Sequence, residues 1–186
     1  QAQIQEDMGK CSPVADTAGP TGTVTINGGA AYATNPAVNL TLSASDPSGV
    51  TEMTFSNDST SWSAAETYGT MRAWTLSSGD GSKTVYAKYK DGKGNWSSAV
   101  AATITLDSRP PVAMANPPAG TYNAAQNVAL TAYETATIYF TTDGTSPTTA
   151  AAVYSGPIAV GASQTIKFFA KDAAGNDEAV KSAAYA

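Results

Sequence analysis

The chain has 186 residues, of which 42% are hydrophobic and only 13% are charged, and its formal net charge is −5. Its few lysines and arginines are scattered, so it lacks the basic face that nucleic-acid binding requires, and no apolar run reaches the ~18 residues of a membrane span. The chain contains no histidine, which excludes Ser-His and Cys-His catalytic pairs and every histidine-bound zinc or haem site.

The first 20 residues are polar, contain Pro13 and Pro20, and show no sustained hydrophobic period. We expect residues 1–20 to be an extended and partly disordered N-terminal leader. Cys11 is the only cysteine of the chain, so an internal disulfide is impossible. The thiol is either available for an intermolecular link to another chain or simply tolerated.

Residues 21–107 are predicted to form a first β domain, in which short alternating strands are separated by turn residues. The predicted strands are residues 24–26, 38–44, 50–56, 72–77, 84–90 and 96–106. Asp46-Pro47-Ser48-Gly49 is predicted to be a β-turn, because proline at its second position already has the required φ. Trp74 lies within a predicted strand, and we expect it to be the buried tryptophan of a sandwich core.

A proline-rich segment, Asp107-Ser108-Arg109-Pro110-Pro111, separates the first domain from the rest of the chain. Two prolines remove two backbone donors, so residues 108–111 are predicted to be a short, stiff linker before a second domain, residues 112–186. The second domain's predicted strands are residues 128–132, 137–142, 152–154, 165–171 and 178–185. No helical period persists, so we predict an all-β fold of two tandem immunoglobulin-like or fibronectin III-like β-sandwiches.

The two domains repeat one another in sequence. Residues 84–95 (TVYAKYKDGKGN) return as residues 165–176 (TIKFFAKDAAGN), each an alternating strand that runs into a D-x-x-G-N turn. The lysines on one face of each strand belong in water, so the opposite face is predicted to be the core face. The predicted core residues are Val85, Ala87, Tyr89, Ile166, Phe168 and Ala170. A tandem of small β domains is typical of modular surface proteins.

The D-x-x-G-N turns have a structural and a functional interpretation. In the structural one, the aspartate accepts a hydrogen bond from backbone two residues on, while glycine and asparagine adopt a positive φ. In the functional one, the aspartate and asparagine oxygens bind Ca²⁺. Calcium requires six to eight oxygens and each turn offers two, so we favour the structural interpretation and predict no metal or cofactor.

Neither the acids nor the aromatics form a recognisable catalytic site. Most aspartates stand singly and either precede or adjoin glycine or proline, where turn formation explains them. These aspartates are Asp46, Asp80, Asp91, Asp143 and Asp172. We therefore predict that the chain is not an enzyme. Exposed aromatics can bind sugars, and Trp62 and Trp96 lie beside turns. Packing at a core or an edge is the alternative interpretation of both tryptophans.

Each domain resembles a known bacterial family. The first is similar to bacterial immunoglobulin-like repeats through six blocks: residues 55–58 with 61–63, 74–77 with 79–81, 83–86, and Asp91 with Gly94-Asn95. The second resembles the immunoglobulin-like C-terminal domain of chitobiase and β-hexosaminidase-type enzymes. The matching blocks are residues 117–122, 138–144 with 147–148, 154–158, 165–167, and Asp172 with Gly175-Asn176. Domains of both families usually serve as spacers or accessory modules, and neither provides catalytic residues to carry over.

These resemblances imply a non-catalytic structural or adhesion segment of an extracellular or cell-surface bacterial protein, or a subunit of a surface fibre. The expected partners are other domains of the same protein or other copies of the chain, with Cys11 available to link them. The alternative is a carbohydrate-binding accessory module of a secreted glycoside hydrolase, with a polysaccharide as the partner.

Overall fold

A computed structural model describes residues 15–186, and within them the fold is all-β. The strands of this range are β1 (Thr21–Ile26), β2 (Tyr32–Ala33), β3 (Ala37–Ser45), β4 (Val50–Ser56), β5 (Glu66–Thr67), β6 (Met71–Thr75), β7 (Gly81–Asp91), β8 (Val100–Leu106), β9 (Ala113–Asn116), β10 (Gln126–Ala132), β11 (Ala136–Thr141), β12 (Ala152–Val153), β13 (Ile158–Val160), β14 (Gln164–Asp172) and β15 (Lys181–Tyr185). A three-residue 3₁₀ turn, Asn27–Gly29, follows β1. Among the described residues, no helix is long and apolar enough to cross a membrane.

The described strands form four sandwich-like sheets, which confirms the predicted all-β fold class. The first two have the strand orders β1-β3-β6 and β2-β8-β7-β4-β5, and the other two have the orders β13-β10-β9 and β12-β11-β14-β15. Neighbouring strands are antiparallel in the main ladders, as in β1 with β3, where Thr21 lies opposite Ser45 and Ile26 opposite Leu40. Parallel pairing occurs between β2 and β8, where Tyr32 lies opposite Thr105.

By its contacts the chain divides into two compact units. One contains the described residues up to Gly28 together with Asn39–Trp74 and Thr84–Thr103. The other contains Gly29–Val38, Thr75–Lys83 and Ile104–Ala186. The domain boundaries drawn from the sequence, at residues 21–107, 108–111 and 112–186, stay a prediction.

The predicted side-chain alternation of the two repeated strands is confirmed. Val85, Ala87 and Tyr89 on β7 are fully buried, and so are Ile166 and Ala170 on β14, with Phe168 at 3% exposure. The lysines at positions 88 and 167 lie on the opposite face and are partly exposed. The register that was predicted from lysine exposure is therefore correct.

Large and small residues alternate in opposite phase along the two core faces. At matching positions β7 presents Ala87 and then Tyr89, whereas β14 presents Phe168 and then Ala170. The Tyr89 ring meets Tyr68 edge to face, with centroids 5.9 Å apart. The two strands share one alternating pattern of buried and exposed residues. The large and small side chains nevertheless occupy different positions in the two cores.

Two expectations about aromatic burial are wrong. Phe169 lies on the lysine face of β14, which was expected to face water, but it is only 5% exposed. It stacks on the Tyr139 ring with centroids 5.3 Å apart. Trp74 is half-buried rather than buried. Its ring packs against Phe55 at 5.5 Å and its Nε1 donates to Asn57 Oδ1 at 2.9 Å, so the fully buried aromatics at this core are Phe55 and Tyr89.

The outer edge of β9 is covered by side chains. The backbone N–H of Ala113 donates to both carboxylate oxygens of Glu178 at 3.1 Å, and the Ala113 carbonyl accepts from Lys181 Nζ at 2.7 Å. Glu178 also forms an ion pair with Lys181, and its side chain is only 7% exposed. Both backbone groups of Ala113 are therefore occupied and cannot pair with another strand.

Candidate functional site

The D-x-x-G-N turn is closed by hydrogen bonds from its asparagine to its aspartate in both repeats. Asp91 Oδ1 accepts the backbone N–H groups of Lys93 and Asn95, both at 2.8 Å, and Asp91 Oδ2 accepts Asn95 Nδ2 at 2.8 Å. Asp172 uses the same atoms toward Gly175 and Asn176 at 2.7–2.8 Å. Both oxygens of each aspartate are thus occupied by hydrogen bonds within the turn.

Only part of the expected backbone geometry is present in these turns. The glycines have positive φ, 96° at Gly94 and 100° at Gly175, but the asparagines are not among the residues of positive φ. Asn95 and Asn176 are needed for their side chains rather than for a left-handed backbone. Sequence reasoning assigned them the wrong role, because asparagine serves both purposes in turns.

The electrostatics of the turn stabilise the carboxylate form of both aspartates. Burial by itself raises the pKa of Asp91, but hydrogen bonds from the Asn95 side chain and from the backbone outweigh it, so the pKa lies below its usual value. The pKa of Asp172 is lowered by the same balance, with Asn176 as the main donor against burial. Each turn is therefore held by an ionised aspartate at neutral pH.

A cluster of three acids distinguishes the first turn from the second. Carboxylate oxygens of Asp16, Asp46 and Asp91 lie within 4.8 Å of one another. Such hard oxygens are the ligands that calcium prefers, so these three residues could hold a divalent cation. Asp46 Oδ1, however, accepts from Ser48 N and Ser48 Oγ at 2.8 Å, and it shapes the predicted β-turn, which Gly49 N closes onto Asp46 O at 3.0 Å. Asp16 Oδ1 accepts the backbone N–H of Ala18 at 3.2 Å, so each of the three acids already has a structural role.

Other aspartates hold loops in a similar way. Asp58 Oδ1 accepts the backbone N–H groups of Thr60 and Ser61 at 2.8 and 2.7 Å, and these hydrogen bonds hold the pKa of Asp58 well below its usual range. Asp143 accepts from Thr145 Oγ1 at 2.6 Å and Thr145 N at 3.0 Å, which lowers its pKa. Asp46, Asp91, Asp143 and Asp172, which the sequence assigned to turns, therefore stabilise those turns. Asp80 instead accepts from Ser108, outside its own turn.

The tryptophans differ in their exposure. Trp96 is 39% exposed, and Lys90 Nζ lies 5.7 Å from its ring centroid. Trp62 is half-buried, with Lys88 Nζ 4.4 Å from its ring and its own Nε1 bonded to Ser59 O. One broad face of Trp62 is therefore occupied by a cation, and Trp96 is the tryptophan with the larger accessible surface.

A cleft of about 310 Å³ lies at one end of the second pair of sheets, where Tyr122 and Tyr185 meet Gln126 and Ser163. The two tyrosine rings stack on each other with centroids 6.1 Å apart. Their hydroxyls donate to Pro118 O and Pro117 O. Both the rings and the hydroxyls of this cleft are thus engaged within the protein. Cys11 and residues 1–14 of the leader lie outside the described residues.

Solved structures of low sequence identity resemble the chain. Fibronectin(III)-like modules of Clostridium thermocellum CbhA have 14% identity and a TM-score of 0.48, over 88% of this chain and 93% of that one. The tetra-tandem repeat in the extending region of a large adhesion protein has 20% identity and a TM-score of 0.34, over 90% and 50%. The BSP domain of a biofilm associated protein has 13% identity and a TM-score of 0.29, over 90% and 29%. No function is inferred from these values.

Sequence comparison gives a more specific result. No curated protein matches the chain. The family model of the chitobiase/beta-hexosaminidase C-terminal domain matches residues 117–182. This match confirms the resemblance expected for the second domain, whereas membership of the first domain in a bacterial immunoglobulin-like family stays a prediction.

Proposed function

We propose that the chain is a non-catalytic structural or adhesion segment of an extracellular bacterial surface protein or fibre subunit. The proposal rests on one observation: in both repeats, polar side chains form hydrogen bonds that stabilise turns. Asp91 and Asp172 saturate their own turns, Asp58 and Asp143 do the same elsewhere, and no buried side-chain nitrogen or oxygen of the described residues lacks a partner. This chemistry stabilises a scaffold and leaves its surface to contacts with neighbours.

Surface location and adhesion are tested in the source bacterium. Antibodies against the purified chain should label intact cells, and deletion of residues 21–186 in the chromosomal gene should reduce attachment to a surface without affecting growth. A full-length gene copy should restore attachment. Labelling that requires permeabilised cells would contradict the extracellular location, and unchanged attachment would contradict adhesion.

Association with other copies through Cys11 is a separate part of the proposal. In an oxidising compartment, a lone thiol near the N-terminus can link two chains covalently. Native material should then run as a dimer on non-reducing gels, and Cys11→Ser should run as a monomer. A wild-type protein that runs only as a monomer, with its thiol fully alkylated before denaturation, would exclude the link.

The alternative function, carbohydrate binding beside a secreted glycoside hydrolase, is favoured by one observation: the exposed ring of Trp96 next to Lys90. A glycan array probed with the purified chain tests this alternative. If it is correct, Trp96→Ala should abolish the signal, and Tyr133→Ala, which removes an aromatic that is 79% exposed elsewhere, should not. An array without signal would leave the structural role as the better proposal.

A further inference from the structure

The asparagine of each D-x-x-G-N turn makes a second side-chain hydrogen bond, and this bond leaves the turn. A primary amide has two N–H donors. In the first repeat one donor of Asn95 Nδ2 goes to Asp91, and the other reaches the backbone carbonyl of Asp16 at 3.1 Å. In the second repeat Asn176 Nδ2 reaches the backbone carbonyl of Asp107 at 2.9 Å. We call these two contacts the entry bonds.

The acceptors of the two entry bonds occupy matching positions in the sequence. Asp16 begins D-T-A-G-P directly before β1, and Asp107 begins D-S-R-P-P shortly before β9. Each entry bond therefore joins the turn at the end of a long core strand to the segment through which the chain enters the same repeat. The acceptor is a main-chain carbonyl, so the contact depends on the asparagine amide and not on the aspartate side chain.

In the second compact unit, a further group holds the same segment. Asp80 Oδ1 accepts Ser108 N at 3.1 Å and Ser108 Oγ at 2.8 Å, and Asp80 Oδ2 lies 3.5 Å from Arg109 Nε. Residues 107–109 have no regular secondary structure, yet three consecutive residues are bonded to Asn176 or Asp80. A proline-containing segment held at successive residues has little freedom to reorient.

We propose that Asn95 and Asn176 are positioning residues that fix the segment entering each repeat, residues 16–19 and 107–109 respectively, through their entry bonds. Loss of one asparagine amide removes this restraint from its own segment and leaves the restraint on the other segment in place. This inference concerns only the backbone mobility of the two segments and is independent of the proposed surface function.

The two repeats control for each other in the test. Backbone ¹⁵N order parameters are measured for Ser108 and Arg109 and for Thr17 and Ala18. In the wild type both segments should have values near 0.85, typical of rigid backbone. Because Asp80 holds Ser108 and Arg109 independently, Asn176→Ala is measured in an Asp80→Ala background. There the values at Ser108 and Arg109 should fall below about 0.6 relative to Asp80→Ala alone, while those at Thr17 and Ala18 stay unchanged, and Asn95→Ala should lower the values at Thr17 and Ala18 only.

Lys171→Ala is the matched control within the same turn. It removes the Lys171 contacts to Gly175 O and Asp177 but keeps Asn176, so both segments should remain ordered. Unchanged order at residues 108–109 when Asn176→Ala is added to Asp80→Ala, or an equal loss of order in both segments from either asparagine variant, would overturn the inference.

A measurement on the wild type alone covers the case in which an asparagine variant does not fold. A through-hydrogen-bond scalar coupling should connect Asn176 Nδ2 to the carbonyl carbon of Asp107. Its absence, together with rapid solvent exchange of both Asn176 amide protons, would also overturn the inference.

Discussion

Two turn aspartates are among the buried polar residues of the described chain. Asp91 and Asp172 are 2% and 9% exposed, yet each is a carboxylate with both oxygens hydrogen-bonded. Burying a charge without such partners would be strongly unfavourable. The stability of the turns therefore depends on the ionised form, and it should respond to pH and not to metal.

Acid should destabilise the protein through these turns. The pKa values of Asp91 and Asp172 are lowered in the folded protein from their usual 3.8, so the unfolded chain binds protons more readily. The free energy of unfolding should be constant above about pH 5 and should fall as the pH drops through 3.8 toward the folded-state values. Urea unfolding from pH 7 to pH 3 measures this decline. Asp172→Asn should make the decline in the free energy of unfolding smaller. A free energy of unfolding that rises on acidification would contradict the lowered pKa values of the two aspartates.

Removal of metal should have no effect, because hydrogen bonds already occupy the oxygens of both turn aspartates. Excess EDTA should leave the melting temperature unchanged, and so should added Ca²⁺. A calcium site occupied at 100 times its Kd would instead add about 2.7 kcal/mol and raise the melting point by roughly 10 °C for a domain of this size. A rise of that size that is lost in Asp46→Asn would show that the three-acid cluster binds calcium.

At the scale of a single element, the edge strand β9 depends on one buried carboxylate. Glu178 accepts the N–H groups of Ala113 and Ala170 and pairs with Lys181. Glu178→Ala leaves these donors without a partner and should cost about 2–3 kcal/mol. Denaturant unfolding measures the loss. Glu134→Ala, at an exposed position, is the control and should cost less than about 0.5 kcal/mol.

The strands that sequence reasoning located are those with a strong alternating period. The predicted strand at residues 50–56 coincides with β4. The core strands β7 and β14 are one to three residues longer at each end than the predicted strands at residues 84–90 and 165–171. Elements of two to four residues, namely β2, β5, β9 and β13, were missed, because so few residues carry no period. β9 is also flanked by prolines on both sides, which indicate a loop.

Contacts that depend on the folded chain could not be predicted from alternation. Thr54 and Ser56 point away from the core yet are 7% and 1% exposed. The segment after β4 folds back over them, with Thr54 Oγ1 bonded to Ser63 O and Ser56 Oγ bonded to Asp58. The turn aspartates were identified from sequence alone, but the outward reach of Asn95 and Asn176 and the proximity of Asp16 to Asp46 require the tertiary structure.

At the scale of the whole molecule, the second repeat should fold without the first. Its core draws on strands from both of its sheets, including Ala113, Leu130, Phe168 and Tyr185. A fragment of residues 107–186, which retains the carbonyl that Asn176 binds, should unfold cooperatively on heating and give dispersed amide resonances. A disordered fragment would contradict the prediction that residues 108–111 link two independently folding domains.

The N-terminal segment should divide into a dispensable and a required part. Residues 1–20 were expected to form an extended and partly disordered leader, but Pro20 is buried and the Asp16 carbonyl accepts from Asn95. Gly19 leaves no room for a side chain, since a Cβ there would lie 2.3 Å from Trp96 O. Deletion of residues 1–14 should cost under about 1 kcal/mol in urea unfolding, whereas deletion of residues 1–20 should cost clearly more. Equal costs would show that the described contacts contribute nothing.

The opposite phase of large and small residues on β7 and β14 affects how faithfully adjacent repeats fold. Neighbouring domains with one strand pattern are prone to exchange strands while they fold. If β14 took the place of β7, Phe168 would enter a site sized for Ala87 and Ala170 would leave a void where Tyr89 belongs. Overpacking and cavity formation each cost about 1–5 kcal/mol. Such a mispaired product carries both the overpacking cost and the cavity cost. The different core residues of the two repeats therefore favour pairing of each strand within its own repeat.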